Sequence, residues 1–198
     1  MMLIDLLRHG ETETPGRLLG RADPPLSELG WRQFERQTSG RSWDLIVASP
    51  RLRSRAAAEC LAGEAGVAWS IDDDWAEVDF GDWDGRELTA LRADPATAAA
   101  LAALYSSPDA PGPPGGESWH DLSARVSRAL DRLLATPAER LLVVTHAGPI
   151  RAALALASGL PFANLWAFTI NPGTRITLRV GRDDHAGIWG EIVEIVQP

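Results

Sequence analysis

Lysine is absent from this chain of 198 residues, and all 19 of its basic side chains are arginines. The protein therefore cannot form a Schiff base with a carbonyl substrate, and it lacks the lysine that a phosphate-binding P-loop requires. Cysteine is represented only by Cys60, so no disulfide can form within the chain. Because this cysteine usage suits a reducing compartment, we expect a cytoplasmic protein.

Long apolar runs are also missing. No stretch approaches the roughly 20 apolar residues of a membrane-spanning helix, so we expect no membrane association. The first residues lack the basic region and apolar stretch that are typical of a secretory signal. Acidic side chains outnumber basic ones and give a net charge of -8, which argues against nucleic-acid binding. The four histidines are dispersed without carboxylates at ligand spacing, so we expect no metal and no cofactor.

Strand-like and helix-like segments alternate along the chain. Strand patterns occur at 3–7, 44–48, 67–71, 141–145, 175–180 and 188–196, and the last two are expected to pair antiparallel. Helical patterns occur at 27–40, 51–64, 86–105, 117–135 and 149–158. This alternation predicts an α/β fold, a three-layer α/β/α sandwich with a mostly parallel central sheet. The length suits one domain, 1–198, with a helical and Pro/Gly-rich insertion over the site at about 86–116.

Two of the predicted strands end at a histidine with a glycine close behind. The run at 3–7 leads into Arg8 and His9, and the run at 141–145 leads into His146. Open α/β sheets bind ligands at the carboxyl ends of their strands. Both imidazoles could therefore meet on one small ligand, and the neighbouring arginine favours an anion.

Four motifs, in the same order, resemble those of the histidine phosphatase superfamily, also called phosphoglycerate mutase-like. They are Arg-His-Gly-Glu-Thr at 8–12, Ser-Pro-Arg-Leu-Arg at 49–53, Glu-Val-Asp-Phe-Gly-Asp-Trp at 77–83 and Thr-His-Ala-Gly at 145–148. Within the family the chain is most similar to the α-ribazole phosphatases of cobalamin biosynthesis. The features that suggest this branch are the short chain, the Gly-Arg pairs at 16–17 and 20–21, and the motifs at 80–83, 115–117 and 165–168.

The resemblance implies a metal-independent hydrolase of phosphomonoesters that works through a phosphohistidine. His9 is the expected nucleophile, attacking phosphorus through a neutral ring nitrogen while a backbone carbonyl holds the other nitrogen. His146 is expected to donate a hydrogen bond to a phosphoryl oxygen. Glu77 holds the family's position for the general acid, which protonates the leaving oxygen and then activates water.

The same resemblance implies a phosphate cradle centred on Arg8, Arg53 and His146, because guanidinium groups match phosphate oxygens in pairs. Ala147, just before the helix predicted at 149–158, is expected to join the cradle, and the positive end of that helix points the same way. Pro15 stands where family members usually carry an asparagine, so that phosphate contact must be lost or replaced. The candidates to replace it are the hydroxyl of Thr12, the guanidinium of Arg17 and the amide of Gly20.

Three functions remain open at this point. The first is hydrolysis of α-ribazole 5′-phosphate, whose flat heterocycle would suit an aromatic wall such as Trp83, Trp119 and Trp166. The second is a broad sugar-phosphate phosphatase or a phosphoglycerate mutase-like enzyme. The third is an inactive module that binds a phosphorylated ligand. The expected partner is a small phosphomonoester, and the oligomeric state stays open, a homodimer included.

Overall fold

The computed structural model describes residues 1–183 and 187–198, so His185 and the middle of the last predicted turn lie outside it. The strands are β1 (Met2–Arg8), β2 (Leu45–Ala48), β3 (Trp69–Ile71), β4 (Arg140–Thr145), β5 (Arg175–Asp183) and β6 (Gly187–Val196). The α-helices are α1 (Glu28–Thr38), α2 (Leu52–Ala65), α3 (Leu88–Ala93), α4 (Pro95–Ser106), α5 (Trp119–Leu134) and α6 (Ala147–Ser158). Short 3₁₀ helices occupy Asp73–Trp75, Gly81–Trp83 and Phe162–Trp166.

The six strands form one sheet in the order β3-β2-β4-β1-β5-β6. The four strands from β3 to β1 are parallel, whereas β5 pairs antiparallel with both β1 and β6. The predicted α/β fold with a mostly parallel sheet is confirmed, and so is the antiparallel pair at the end of the chain. The crossovers place β1 beside β4, which brings the ends of these two strands to the same edge of the sheet.

Side-chain alternation along the strands divides the core between the two faces of the sheet. Leu6 and Val143 belong to a cluster that includes the inward faces of α5 and α6. Their chain neighbours Leu7 and Leu142 belong to a second cluster with side chains of α1 and α2. Each face is therefore covered by its own pair of helices, which is the predicted three-layer arrangement.

Side-chain caps set the start of α1 and of α5. Ser27 caps α1, since its hydroxyl accepts the Gly30 amide. α5 begins at Trp119 because Ser118 and Asp121 form a reciprocal capping box. The helix predicted at 149–158 in fact begins at Ala147, so His146 is itself the N-cap residue of α6.

The predicted insertion contains two helices, where the sequence pattern indicated one helical stretch. Asp94 separates them, because its carboxylate accepts the Thr97 amide and caps α4, and Pro95 takes the first helical position. A small apolar cluster that includes Trp83, Leu91 and Leu101 holds this segment against the body of the protein. Within the described residues, no helix combines the length and apolar character needed to cross a membrane.

Candidate active site

The ends of three adjacent parallel strands supply the centre of the site. The His9 amide, just after β1, donates to the Thr145 carbonyl at the end of β4 (2.9 Å). The Ser49 amide, just after β2, donates to the Val144 carbonyl (2.9 Å). These pairings bring the rings of His9 and His146 to 5.0 Å between centroids, in an edge-to-face arrangement. The two histidines predicted at neighbouring strand ends therefore do lie side by side.

His9 is held as a neutral imidazole with one nitrogen available. Its Nδ1 lies 2.7 Å from the Gly10 carbonyl oxygen, so Nδ1 carries the proton and donates it. Nε2 then has a free lone pair, which accepts a hydrogen bond from the Arg53 Nε (3.3 Å). Burial, reinforced by the positive charges of Arg8 and Arg53, holds the pKa of His9 well below 6.5.

The backbone around His9 requires glycine at position 10. A Cβ atom added to Gly10 would lie 2.1 Å from the carbonyl oxygen of Gly30 in α1. No side chain fits that space, so glycine lets α1 pack directly on the loop that carries the histidine.

Arg53 is fully buried behind His9, with its guanidinium aimed by a loop at 19–23. Nη1 donates to the Ala22 carbonyl (2.9 Å) and to the Asp23 carboxylate (3.2 Å), and Nη2 donates to the Leu19 carbonyl. These contacts fix the orientation in which Nε faces the His9 ring. The positive charge stays next to the candidate nucleophile while its other donors are satisfied.

The carboxylate of Asp84 holds that loop in place by accepting three successive amides. The bonds come from Gly20 (2.7 Å), Arg21 (2.9 Å) and Ala22 (2.6 Å). This geometry corrects one expectation from the sequence, because the Gly20 amide already binds Asp84 and is not free to bind phosphate.

Of the other two candidates to replace the family asparagine, only Arg17 lines the cavity. Thr12 is buried beside Leu26 and does not line the cavity described below. Arg17 does line the cavity, but its guanidinium donates to the Gly85 carbonyl (2.8 Å) and to Glu87 (2.9 Å). A phosphate contact from Arg17 would require that ion pair to open.

Arg8 and His146 both keep a buried nitrogen without a hydrogen-bond partner among the described residues. Arg8 uses Nη1 to donate to the Ile170 carbonyl (2.6 Å), while its Nε is buried and unpaired. His146 is fully buried, with Nε2 at 2.6 Å from the Ser49 Oγ and Nδ1 unpaired. Buried polar atoms without a partner are rare in folded proteins. An anion bound between Arg8 and His146 would supply the missing acceptors.

His146 is also neutral. Burial, together with the charges of Arg53 and Arg8, holds its pKa well below 6.5. A neutral imidazole still has one N–H with which to donate to an oxyanion. His9 lines the cavity. Arg53 and His146 contact His9 but are fully buried and do not line the cavity themselves.

Glu77 reaches the site from a loop and is anchored at the start of α6. Its Oε1 accepts the amides of Val78 (2.9 Å) and Gly148 (3.1 Å). A Cβ atom on Gly148 would lie 2.5 Å from that oxygen, so only glycine lets the carboxylate approach the helix. The positive end of the α6 dipole favours a carboxylate at this position.

The cavity above these residues has a volume of about 290 Å³. Its floor is formed by Arg8, His9, Glu77, Ala147 and Gly148. Its walls are largely aromatic and apolar, and the aromatic rings belong to Phe80, Tyr105, Trp119 and Trp166. Tyr105, from the inserted α4, meets Trp166 edge to face at 4.7 Å between ring centroids, so the insertion does cover the site.

Sequence reasoning missed Arg151, a buried arginine in the wall of the cavity. Its guanidinium donates to the carbonyls of Leu165 and Phe168 and lies 4.3 Å from the centre of the Trp166 ring. Burial lowers the pKa of Arg151 to about 10. The signal was available, because Arg151 is the only charged residue within the helix predicted at 149–158.

Comparisons with known proteins agree with this geometry. A family model for the histidine phosphatase superfamily (branch 1) matches residues 4–188. The adenosylcobalamin/alpha-ribazole phosphatase of Salmonella typhimurium (strain LT2) is 30% identical over 178 residues, which are 87% of each chain. A solved structure of a mycobacterial glucosyl-3-phosphoglycerate phosphatase, Rv2419c, superposes with a TM-score of 0.80 at 28% identity over 97% of each chain.

A further relative is the bifunctional protein Rv2228c of Mycobacterium tuberculosis, which is 36% identical over 160 residues. The match covers 77% of this chain but only 43% of that relative. The family match, by contrast, includes both histidine motifs and the segment that carries Glu77. The chain therefore belongs to the histidine phosphatase superfamily.

Proposed function

We propose that the protein hydrolyses a phosphomonoester through a phosphohistidine on His9, and that its substrate is α-ribazole 5′-phosphate. The observation that carries the proposal is the His9 imidazole, which is neutral, has an unprotonated Nε2 and lines the cavity. Arg8 and Arg53 flank it with two guanidinium groups that match phosphoryl oxygens.

In the first step, the His9 Nε2 lone pair attacks phosphorus and the bond from phosphorus to the ester oxygen breaks. Arg53 exchanges its hydrogen bond to Nε2 for one to a phosphoryl oxygen, and the Arg8 Nε gains the partner it lacks. Glu77 gives its proton to the departing oxygen, so the alcohol leaves neutral. The charge on the three equatorial oxygens is balanced by the two guanidinium groups.

In the second step, Glu77 is ionised and removes a proton from water. The water oxygen attacks phosphorus, the bond from phosphorus to the His9 nitrogen breaks, and inorganic phosphate leaves. His9 returns to its neutral form and Glu77 to its protonated form, so both are ready for another cycle. The sum of the two steps is one ester and one water converted to one alcohol and one phosphate.

The aromatic walls support a leaving group with a flat ring. Tyr105 and Trp166 pack together on one side of the cavity, and Trp119 packs against Phe162 at 4.9 Å between ring centroids. Such surfaces stack on planar heterocycles. The similarity to an alpha-ribazole phosphatase that spans 87% of each chain points to the same class of substrate.

A sugar-phosphate or phosphoglycerate substrate is the second candidate. It is favoured by Arg17 and Arg151, whose guanidinium groups line the cavity and could bind a carboxylate after releasing their present partners. The structural similarity to a glucosyl-3-phosphoglycerate phosphatase is consistent with it. A third possibility, a module that only binds phosphorylated ligands, would retain the cradle but release no phosphate.

The test compares kcat/KM for α-ribazole 5′-phosphate with a panel of sugar and glycerate phosphates, before and after exhaustive treatment with EDTA. We expect the highest value for α-ribazole 5′-phosphate and no loss on chelation. A glycerate or sugar phosphate that is turned over more efficiently would transfer the proposal to the second candidate. Absence of phosphate release from every substrate would leave only the binding module.

The nucleophile is tested by His9→Ala, with the exposed His120→Ala as the matched control. We expect His9→Ala to remove nearly all hydrolysis, and rapidly quenched wild-type enzyme to carry an acid-labile phosphate on His9. His120→Ala should behave like wild type. Retention of more than about a hundredth of wild-type kcat by His9→Ala, a loss below roughly 2.7 kcal/mol, would contradict covalent catalysis at this residue.

A further inference from the structure

We propose that Ser49 is a positioning residue whose hydroxyl holds His146 in the tautomer with its proton on Nδ1, so that Nδ1–H is the donor to the phosphoryl group. Ser49 belongs to the motif at 49–53, and the family resemblance gives His146 the role of donor to a phosphoryl oxygen. Which of its two ring nitrogens donates depends on the tautomer. The inference rests on the proposed function, because the acceptor of this hydrogen bond is an oxygen of the phosphoryl group.

The hydrogen bonds of Ser49 decide where the protons lie. Its side chain is fully buried at the end of β2, and Oγ lies 2.6 Å from the His146 Nε2. The same Oγ accepts the Arg51 amide at 3.3 Å. A hydroxyl has one hydrogen and two lone pairs, so it can still donate once.

Only one assignment of the protons gives the Ser49 hydroxyl hydrogen an acceptor and leaves the unpaired donor on the ring nitrogen that a phosphoryl group can reach. If His146 carried its proton on Nε2, Oγ would accept two hydrogen bonds and the hydroxyl hydrogen would have no acceptor among the described residues. Leaving a buried donor unpaired costs about 1–3 kcal/mol. If Ser49 donates to Nε2 instead, the hydroxyl is satisfied and the proton of the neutral ring lies on Nδ1.

The Nδ1–H that results is the unpaired, fully buried nitrogen of His146. This N–H group has no acceptor among the described residues, and buried donors without an acceptor are rare in folded proteins. The His9 ring lies 5.0 Å away between centroids, so a phosphoryl group on His9 is within reach of the neighbouring imidazole. Ser49 thus orients a donor for the oxyanion without touching the substrate.

The tautomer can be read directly by NMR on ¹⁵N-labelled wild-type protein. The chain has four histidines, so two-bond correlations give four imidazole patterns, and His146→Gln assigns the one of interest. We expect a protonated Nδ1 and an unprotonated Nε2 in His146. Saturation with orthovanadate, a mimic of the phosphoryl group, should shift the Nδ1–H resonance. An Nε2–H pattern, or an Nδ1–H that does not move while His9 does, would overturn the proposal.

Ser49→Ala removes the hydroxyl that donates to the His146 Nε2, and Ser54→Ala is its matched control. Ser54 is also fully buried, and its hydroxyl has no partner among the described residues. We expect Ser49→Ala to populate the Nε2–H form of His146 and to lower kcat/KM for p-nitrophenyl phosphate by about tenfold or more. Ser54→Ala should change neither quantity, and Ser49→Thr should restore the Nδ1–H form.

The two readouts separate this inference from the proposed function. The tautomer is measured in the free protein, so it holds or fails without reference to any substrate. If wild-type enzyme released no phosphate, the proposed function would fail whatever the spectra showed. If Ser49→Ala did not fold, the wild-type spectra with and without vanadate would still decide. A Ser49→Ala protein that keeps the Nδ1–H pattern would show that Ser49 does not set the tautomer.

Discussion

Glu77 lines the cavity together with His9, and two backbone amides bind a single oxygen of its carboxylate. Glutamine preserves that contact, because its carbonyl oxygen accepts the same amides while its NH₂ group cannot supply a proton. Glu77→Gln should therefore remove acid catalysis with little change in structure. A good leaving group departs without protonation, so we expect the loss in kcat/KM to be about a hundredfold larger for an alkyl phosphate than for p-nitrophenyl phosphate.

The comparison must use kcat/KM or a single-turnover burst. Steady-state kcat also contains the second step, in which Glu77 activates water. Asp82→Asn is the matched control, because Asp82 is an exposed carboxylate close in sequence that does not line the cavity. Equal losses for the two substrates, or a larger difference for Asp82→Asn, would move the acid role away from Glu77.

Motif and strand pattern together predicted the positions of His9 and His146, because each histidine directly follows a strand and β1 and β4 are neighbours. The partners that orient them could not be predicted in the same way. Arg53 is aimed by carbonyls about thirty residues away, at Leu19 and Ala22, and such contacts leave no periodic signal in the sequence. Backbone carbonyls belong to every residue, so residue type does not mark the ones that serve a guanidinium.

The loop that carries Glu77 is fastened to α5 by Arg125. Its guanidinium donates to the carbonyls of Asp74 (2.8 Å), Ala76 (2.7 Å) and Glu77 (3.1 Å). It also pairs with Glu117, whose carboxylate accepts the Asp79 amide at 3.0 Å. The carbonyls of the candidate acid and of two residues before it therefore depend on one side chain.

Arg125→Gln should release this loop, and Arg128→Gln is its control one turn further along α5. Arg128 is 60% exposed in its side chain and pairs only with the Asp74 carboxylate among the described residues. We expect Arg125→Gln to cost about 1–3 kcal/mol of stability and to lower kcat/KM more for an alkyl phosphate than for p-nitrophenyl phosphate. Arg128→Gln should stay within about 0.5 kcal/mol and show no such difference. A uniform loss for both substrates would mean that Arg125 supports stability alone.

The sequence predicts secondary structure well where the apolar periodicity is strong. It predicts helix boundaries less well where capping residues set them. All six strands occur, since β1, β2 and β4 are dense apolar runs buried on both faces. The helical stretch at 86–105 divides at Asp94, where a local capping bond competes with a continuous helix. The three 3₁₀ helices were not predicted, because three to five residues are too few to show a period.

The middle of β1 shows how the complete fold overrides local pattern. Asp5 lies within the apolar run and is buried in the core. Its carboxylate accepts hydrogen bonds from Trp43 (2.8 Å) and Arg175 (3.1 Å), which lie 38 and 170 residues away along the chain. A buried charge is tolerated only with such partners. Since β1 meets β5 only in the folded sheet, no local reading of the sequence could find this pair.

Two neutral, buried histidines make the stability of the folded protein sensitive to acid. The pKa values of His9 and His146 lie well below 6.5 in the folded state, because burial and the nearby arginines oppose protonation. Above pH 6.5 neither state binds these protons, so the two histidines cause no dependence on pH. Below it the unfolded chain takes up protons that the folded protein refuses, and the free energy of unfolding falls by about 1.4 kcal/mol per pH unit for each histidine.

From pH 7 to pH 5 the two groups together should lower the free energy of unfolding by up to about 4 kcal/mol. The aspartates whose pKa is depressed below 3.8, such as Asp44 and Asp74, add their own loss only at lower pH, so this window isolates the histidines. The measurement is urea unfolding at pH 7, 6 and 5 in buffers without phosphate, since phosphate would bind and stabilise the folded state. His9→Gln and His146→Gln should each remove about half of the dependence on pH, whereas the exposed His120→Gln should remove none. A dependence that survives in the double variant His9→Gln/His146→Gln would show that other groups set the acid limit of the fold.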